Sequence, residues 1–423
     1  MKYLIPILTR YSSILVQFWI LVLISRTLNS ADAGIFFVLS GIVLTAYFAV
    51  SFGIPDGFVL IAAKQISLGR NQLAKLKVRS AAEFSLLITV PVCIVIAMVI
   101  SKMMHAPMLG TLAGIWLLGY CLCFISAQAL IAINRIKTGT FVFYSAINVL
   151  LAFTTIPYLS IASHPNLEST VAWIAFPSFF AGCLSILYCW LSVFRSSKFV
   201  SLKRKAKIGL TCLLRGGPIS LGRLVQSALI WSPVWIAGVS LSIESTAQVG
   251  LATRLFGVFG AMLAAIRFSV RPQIAQLAAS NNWKCIEYIT QKIAFAASLF
   301  VLISLIVATT AGRDLIPLLF GQTYNSTWSI LLIMFGASFG ESMGGPVDEV
   351  LKMTGSALHV LYMQVLSLLI LWPLGLAFSW IFGPHGIAIA FASTVIFLYS
   401  MLIIHLFRKH EIFAIPSAKG YRQ

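Results

Sequence analysis

RSSKFVSLKRKAKIGLTCLLR, residues 195–215, decides how this chain divides. The stretch carries Arg195, Lys198, Lys203, Arg204, Lys205, Lys207 and Arg215 and no acid, and apolar runs of membrane-spanning length flank it on both sides. It lies at the middle of 423 residues and therefore reads as the connection between two halves of nearly equal length.

Composition sets the solvent for what lies on either side. The chain is 59% hydrophobic and only 10% charged, with a mean hydropathy of +0.96. No soluble domain hides that much apolar surface, so lipid surrounds most of it. A hydropathy window of about 19 residues marks twelve spans, at 11–28, 34–54, 81–104, 108–133, 141–161, 171–194, 217–241, 247–270, 293–311, 327–345, 357–382 and 386–407. Lengths near 20 residues suit helices, because an open sheet leaves backbone groups unsatisfied in lipid. The first run resembles a secretory signal, but Arg10 interrupts it, no small-residue cleavage site follows, and further spans succeed it. It reads as a retained first helix.

The net charge of +19 fits membrane topology better than nucleic acid, because the cations cluster between spans and no nucleic-acid motif is present. With the N-terminus placed in the cytosol, 24 of the 30 Lys and Arg residues fall on the cytosolic side. Only Arg26, Lys102 and Arg313 fall opposite, and Arg223, Arg254 and Arg267 lie within spans. The asymmetry places both termini inside and requires an even number of spans.

The halves carry a weak internal repeat. SADAGIFFVLSGIV (30–43) matches STAQVGLATRLFGVF (245–259), pairing Gly34 with Gly250 and Ala31 with Ala247 at an offset of 216. PILTR (6–10) matches PISLGR (218–223), pairing Arg10 with Arg223 at an offset of 213. Six spans return the chain to its starting side, so such repeats are parallel, an arrangement used by transporters that move two bundles around a midplane site.

Charged residues inside spans are the functional candidates. Arg254 is the deepest, about eight residues and on the order of 12 Å into its span by helix rise. It shares a stripe with Gly250, Gly257, Ala261 and Ala264, the composition of a helix face turned toward other helices or a lumen. Arg223 lines up with Gln226 and Ser227, and its counterpart Arg10 with Ser13 and Gln17, each about one turn inside the cytosolic boundary. Two readings stand for this pair, a lumen-facing cation and a side chain snorkelling to the headgroups. Arg267, near the cytosolic end of its span, reads as snorkelling. Glu341 is the carboxylate well inside a span, and Asp56 ends the second one. Each is a candidate coupling group or counter-ion. The cysteines and histidines are dispersed without metal-ligand spacing, and no nucleophile motif, phosphate loop or nucleotide site is present, so no cofactor, no enzymatic reaction and no ATP hydrolysis by this chain are expected.

Three stretches resemble the polysaccharide transporter and O-antigen flippase family, part of the superfamily that also holds multidrug extruders and peptidoglycan lipid flippases. LLFGQTYNSTWSILLIMFG (318–336) is similar to the family's LFG-x-x-[FY] entry into span ten. GPHGIAIAFAST (383–394) is similar to its entry into span twelve, and LNSADAGIFFVLS (28–40) to its turn between spans one and two, with Leu28 and Asn29 in place of Leu-Gly.

The resemblance implies an all-α polytopic membrane protein of twelve transmembrane helices in two six-helix bundles, arranged as a V and working by alternating access. Residues 1–207 would be the N-terminal lobe with the basic connector at 195–215, and 208–423 the C-terminal lobe with a short cytosolic tail. It implies a bacterial inner-membrane flippase for an undecaprenyl-pyrophosphate-linked oligosaccharide. The partners would be that substrate, membrane lipids, and the polysaccharide polymerase and chain-length machinery. Cavity residues would be Arg254, Arg223, Arg10, Gln226 and Gln17, because a guanidinium fork suits phosphate. A multidrug or organic-cation antiporter of the same superfamily is the alternative, with a polytopic O-antigen polymerase or ligase behind it.

Overall fold

The computed structural model describes residues 4–162, 165–194, 200–280 and 282–416. The expected cytosolic cations Lys2, Arg195, Lys198, Lys419 and Arg422, and His164, lie outside these residues. So do the side chains of Lys64, Arg267 and Arg271. The described residues are helical throughout and fall into two compact units, Met1–Asp32 with Leu39–Ser227, and Ala33–Val38 with Ala228–Gln423.

The first unit contains α1 (Leu4–Thr27), most of α2 (Ser30–Val50), α3 (Ile54–Ser67), α4 (Asn71–Met103), α5 (Pro107–Ala132), α6 (Ile136–Tyr144), α7 (Ala146–Ile161), α8 (Leu167–Cys189) and the leading part of α9 (Leu202–Ser240). Its centre is α5, where 72% of the most apolar window is buried, against 22% for α4. Hence α5 packs on protein, and α4 turns Leu87, Ile94, Met98 and Val99 outward as a lipid-facing surface. Small residues permit the central crossing: a Cβ on Gly119 would meet the backbone of Ser178 on α8, and one on Gly182 the backbone of Gly119. With no hydrophobic force between helices in lipid, such backbone approach is what holds them.

The second unit contains the remainder of α9, α10 (Ile243–Ala279), α11 (Trp283–Thr310), α12 (Gly312–Phe320), α13 (Thr327–Met343), α14 (Val347–Met353), α15 (Ala357–Phe382) and α16 (Pro384–His410). Here α16 is the packed element, 56% buried, and α15 the lipid-facing one, at 22%. The helices α13 and α14 meet at an angle of 44° across a break at Gly345, whose φ is +55°, and Pro346.

The repeat glycines have a common role within this unit. Gly34 on the α2 segment lies against the backbone of Ile243 on α10, and a Cβ on Gly250 of α10 would come within 2.6 Å of Phe37 on α2. Each lets one helix seat on the other, which is why Ala33–Val38 belongs here. The two offsets also find an explanation. The N-caps of α2 and α10, Asn29 and Ser242, are 213 residues apart, like Arg10 and Arg223. The glycines at 216 therefore sit three residues, nearly one turn, deeper in α10 than in α2.

Twelve uniform apolar spans are not what the structure displays. Among the described residues eight helices are long and apolar enough to cross a membrane, or nine when the bent pair counts as one. The expected spans outside this set are α1, α9 and α10, of 24, 39 and 37 residues. These are the helices that carry Arg10, Arg223 and Arg254. The second expected span also ends differently. Phe52 and Gly53, with φ of +48° and +72°, stop α2, and Asp56 opens a separate helix, α3.

Candidate transport site

In the first unit the two repeat-related arginines share one aromatic cluster. Arg10 on α1 holds its Cζ 5.3 Å from the ring centre of Tyr144. Tyr144 meets Phe143 edge-on at 4.6 Å, Phe143 meets Phe124 at 5.8 Å, and Arg223 Cζ lies 5.9 Å from the Phe124 ring. Tyr47 adjoins the cluster at 5.7 Å from Phe124 and 5.9 Å from Tyr120. A guanidinium over an aromatic face gains roughly 0.5–2 kcal/mol, and its in-plane N–H donors still point outward.

Arg223 does not stand alone. Its Nη1 donates to Asp56 Oδ1 at 2.7 Å. Backbone contact between α3 and α9 makes the pair possible: a Cβ on Gly57 would lie 2.6 Å from Cys212 Cα, and one on Gly53 2.7 Å from Gly216 O. Gly53 in the left-handed region followed by Pro55 turns α3 back toward α9, and Asp56 follows at once. The carboxylate side chain is 3% exposed and that of Arg223 is 37% exposed. Asp56 Oδ2 is buried with no hydrogen-bond partner among the described residues. Burial therefore pushes the Asp56 carboxyl up to about 6, with the Arg223 charge pulling the other way.

The polar companions divide by direction. Ser13 is buried and shares a hydrogen bond with Ser145 at 3.1 Å, and Ser227 shares one with Thr45 at 2.9 Å. Gln17 and Gln226 are exposed and make no side-chain hydrogen bond among the described residues. The structure thus brings Arg10, Arg223 and Asp56 onto one cluster and leaves the two glutamines apart from it.

In the second unit Arg254 on α10 lies half-buried with its Cζ 4.6 Å from the ring centre of Trp231, itself buried. One turn further along the same stripe, a Cβ on Gly257 would meet nothing within 4 Å among the described residues. Glu341 accepts a hydrogen bond from Tyr399 Oη at 2.9 Å, joining α13 to α16. Sequence reasoning missed Tyr144, Phe124 and Trp231 as seats for the arginines. Cation-to-ring spacing across separate helices leaves no signal in the order of residues.

Among the described residues, no three His, Cys, Asp or Glu side chains gather as a metal set, and the cysteines are free thiols. No protein-family model and no curated protein matches the chain. Solved structures do. The chain superposes on an inward-facing multidrug resistance transporter of the MATE family with a TM-score of 0.68 at 16% identity, over 96% of this chain and 98% of that one. The fold is that of a MOP-superfamily membrane transporter.

The lipid II flippase MurJ, in an inward closed conformation, matches equally well, with a TM-score of 0.68 at 13% identity over 95% of this chain and 87% of that one. A MOP-superfamily transporter from Pyrococcus furiosus, described by the reverse polarity of its binding pocket, matches with a TM-score of 0.56 at 16% identity, over 96% and 94% of the two chains. At these identities the likeness is one of fold.

Proposed function

We propose that the chain is an alternating-access transporter and that its cargo is an anionic amphiphile, an undecaprenyl-pyrophosphate-linked oligosaccharide moved from the cytosolic to the periplasmic leaflet. The observation that carries the reading is the seating of Arg10, Arg223 and Arg254 on aromatic rings. The ring contacts position each guanidinium, whose N–H groups suit donation to phosphate oxygens, and Arg223 shares its donors with Asp56. The neighbouring rings offer apolar faces to sugars. The reverse polarity of the binding pocket described for the Pyrococcus furiosus transporter, said to suggest a different function for that protein, is consistent with a cargo unlike that of the multidrug transporters. In this reading the two halves are six-span lobes with both termini in the cytosol.

A multidrug antiporter is the second reading, and the solved structures lean toward it, since several of those that match are MATE transporters. The buried Asp56 carboxyl and Glu341 also suit a cationic cargo or a coupling proton. One paired assay separates the two. In cells depleted of the protein, lipid-linked repeat units should accumulate on the cytosolic face while efflux of a cationic dye stays unchanged. Dye retention with normal delivery of repeat units to the periplasm selects the antiporter and refutes the flippase.

A further inference from the structure

Outside the arginine cluster, the first unit has a small cleft where α3, α4 and α9 meet. Its volume is about 190 Å³, and Ile61, Gln65, Lys77, Ile208, Thr211 and Arg215 line it. This is below the ~300–1,000 Å³ of a drug-sized pocket and adequate for a single headgroup. Its chemistry is one-sided. Lys77 and Arg215 supply two cations and Gln65 an amide, with no acid in the lining, while the Thr211 hydroxyl donates to Lys207 O at 2.9 Å. Gln65 is only 7% exposed.

The neighbouring cations behave differently. Lys205 and Arg79 are held by Glu83, at 2.6 and 2.7 Å. Lys77 and Arg215 form no ion pair among the described residues. Both line the cleft instead.

Beside it α9 is amphipathic in the manner of an interfacial helix. Leu210 and Leu214, one turn apart, are exposed by 55% and 69%, next to the exposed Lys207, Thr211 and Arg215. Basic residues alternating with exposed leucines on the side that charge asymmetry assigns to the cytosol fit a helix lying at the level of lipid headgroups. The glycine contacts of α3 with α9 at Gly57 and Cys212 hold the cleft walls in register.

We propose that this cleft binds the phosphate of an anionic phospholipid headgroup, with Lys77 and Arg215 clamping the phosphate, the Gln65 amide donating a further hydrogen bond, and Leu210 and Leu214 meeting the acyl chains. The shared chemistry is a phosphate oxyanion. The lipid is chosen over free phosphate because isoleucines and exposed leucines border the cations.

The test uses the purified full chain in detergent micelles and counts bound molecules by native mass spectrometry. The added probes are short-chain phosphatidylglycerol, short-chain phosphatidylcholine and inorganic phosphate. Saturable binding of phosphatidylglycerol is expected, weakened at least about tenfold in Lys77→Gln/Arg215→Gln, as loss of two charge-assisted contacts predicts. Lys284→Gln/Arg408→Gln removes the same charge from exposed positions of the second unit and should leave binding within about twofold, since long-range surface charge is screened. Equal loss in that control, or none in the cleft variant, overturns the site. Competition by inorganic phosphate at the same concentration as the lipid overturns the lipid assignment. Gln65→Ala, which alters no charge, should weaken binding by a smaller factor, and an unchanged affinity counts against the assigned clamp.

Discussion

Replacing Asp56 by asparagine should stabilise this protein above pH 6, although the substitution deletes an ion pair. The carboxyl of Asp56 is raised from the ordinary 3.8 to about 6 in the fold, chiefly by burial and in spite of Arg223 at 2.7 Å. At ~1.4 kcal/mol per decade of acidity, that rise represents roughly 3 kcal/mol by which the fold disfavours the ionised form. The side chain is 3% exposed, so solvent screening takes little from this figure.

The sign follows from proton linkage. The folded state holds the proton more tightly than the unfolded state, so the contribution to stability is complete below about 3.8 and is lost as pH rises through about 6. Asparagine mimics the neutral acid at every pH. The stability difference between Asp56→Asn and the parent should therefore be near zero at pH 4 and grow to about 3 kcal/mol in favour of asparagine by pH 7.5. The assay is reversible unfolding in mixed micelles, followed by tryptophan fluorescence at several pH values, with the parent curve subtracted so that other titrating groups cancel. A difference that does not change with pH, or an asparagine variant less stable at pH 7.5, would refute the reasoning. It would mean that the Arg223 contact outweighs desolvation.

Other consequences are checked separately. The infrared band of the protonated Asp56 carboxyl should vanish with a midpoint near pH 6 and move to higher pH in Arg223→Ala, because the lowering charge is gone. Arg254→Ala should reduce transport by about ten- to a hundredfold at normal expression, the worth of a charge-assisted contact of ~1.5–3 kcal/mol. Lysine should restore only part of it, since it lacks the planar fork. Trp231→Ala should lower transport through loss of the ring beneath Arg254, with phenylalanine recovering most of it; a uniform loss in both variants would assign the indole to packing. Gly250→Leu should destabilise the second unit by more than about 1–3 kcal/mol, an overpacking cost, because even a Cβ there falls 2.6 Å from Phe37. Thermal unfolding of the two glycine variants, Gly34→Leu and Gly250→Leu, should show similar losses.

Much of the architecture was readable along the chain. Hydropathy marked the helices, because each span must satisfy its own backbone in lipid and so announces itself by local composition. The structure starts α2 and α10 four residues before the expected spans, at the caps Asn29 and Ser242, whose bonds are made within three residues. The repeat glycines were visible too. What they do was not, since the Phe37 and Ile243 contacts join segments more than 200 residues apart. The break at Phe52 and Gly53 was masked by continuous hydropathy, and Asp56 was consequently attached to the wrong helix.

Arg223 best divides the two kinds of information. By itself the sequence showed a guanidinium within an apolar run and offered Arg10 as its counterpart, because period and composition are local properties. It placed Arg223 about one turn inside a span starting at 217, whereas α9 begins at Leu202 and Arg223 lies near its middle. It also determined that such a charge must be answered, since an uncompensated cation in an apolar setting is costly. Only the tertiary structure decided that the answer is Asp56 on α3, that Phe124 and Tyr144 carry the two arginines on a shared cluster, and that Arg254 rests on Trp231. Partner choice is set by which helix surfaces come within about 3–6 Å. That distance depends on backbone contacts at glycines such as Gly57 and Gly216, which residue order does not display.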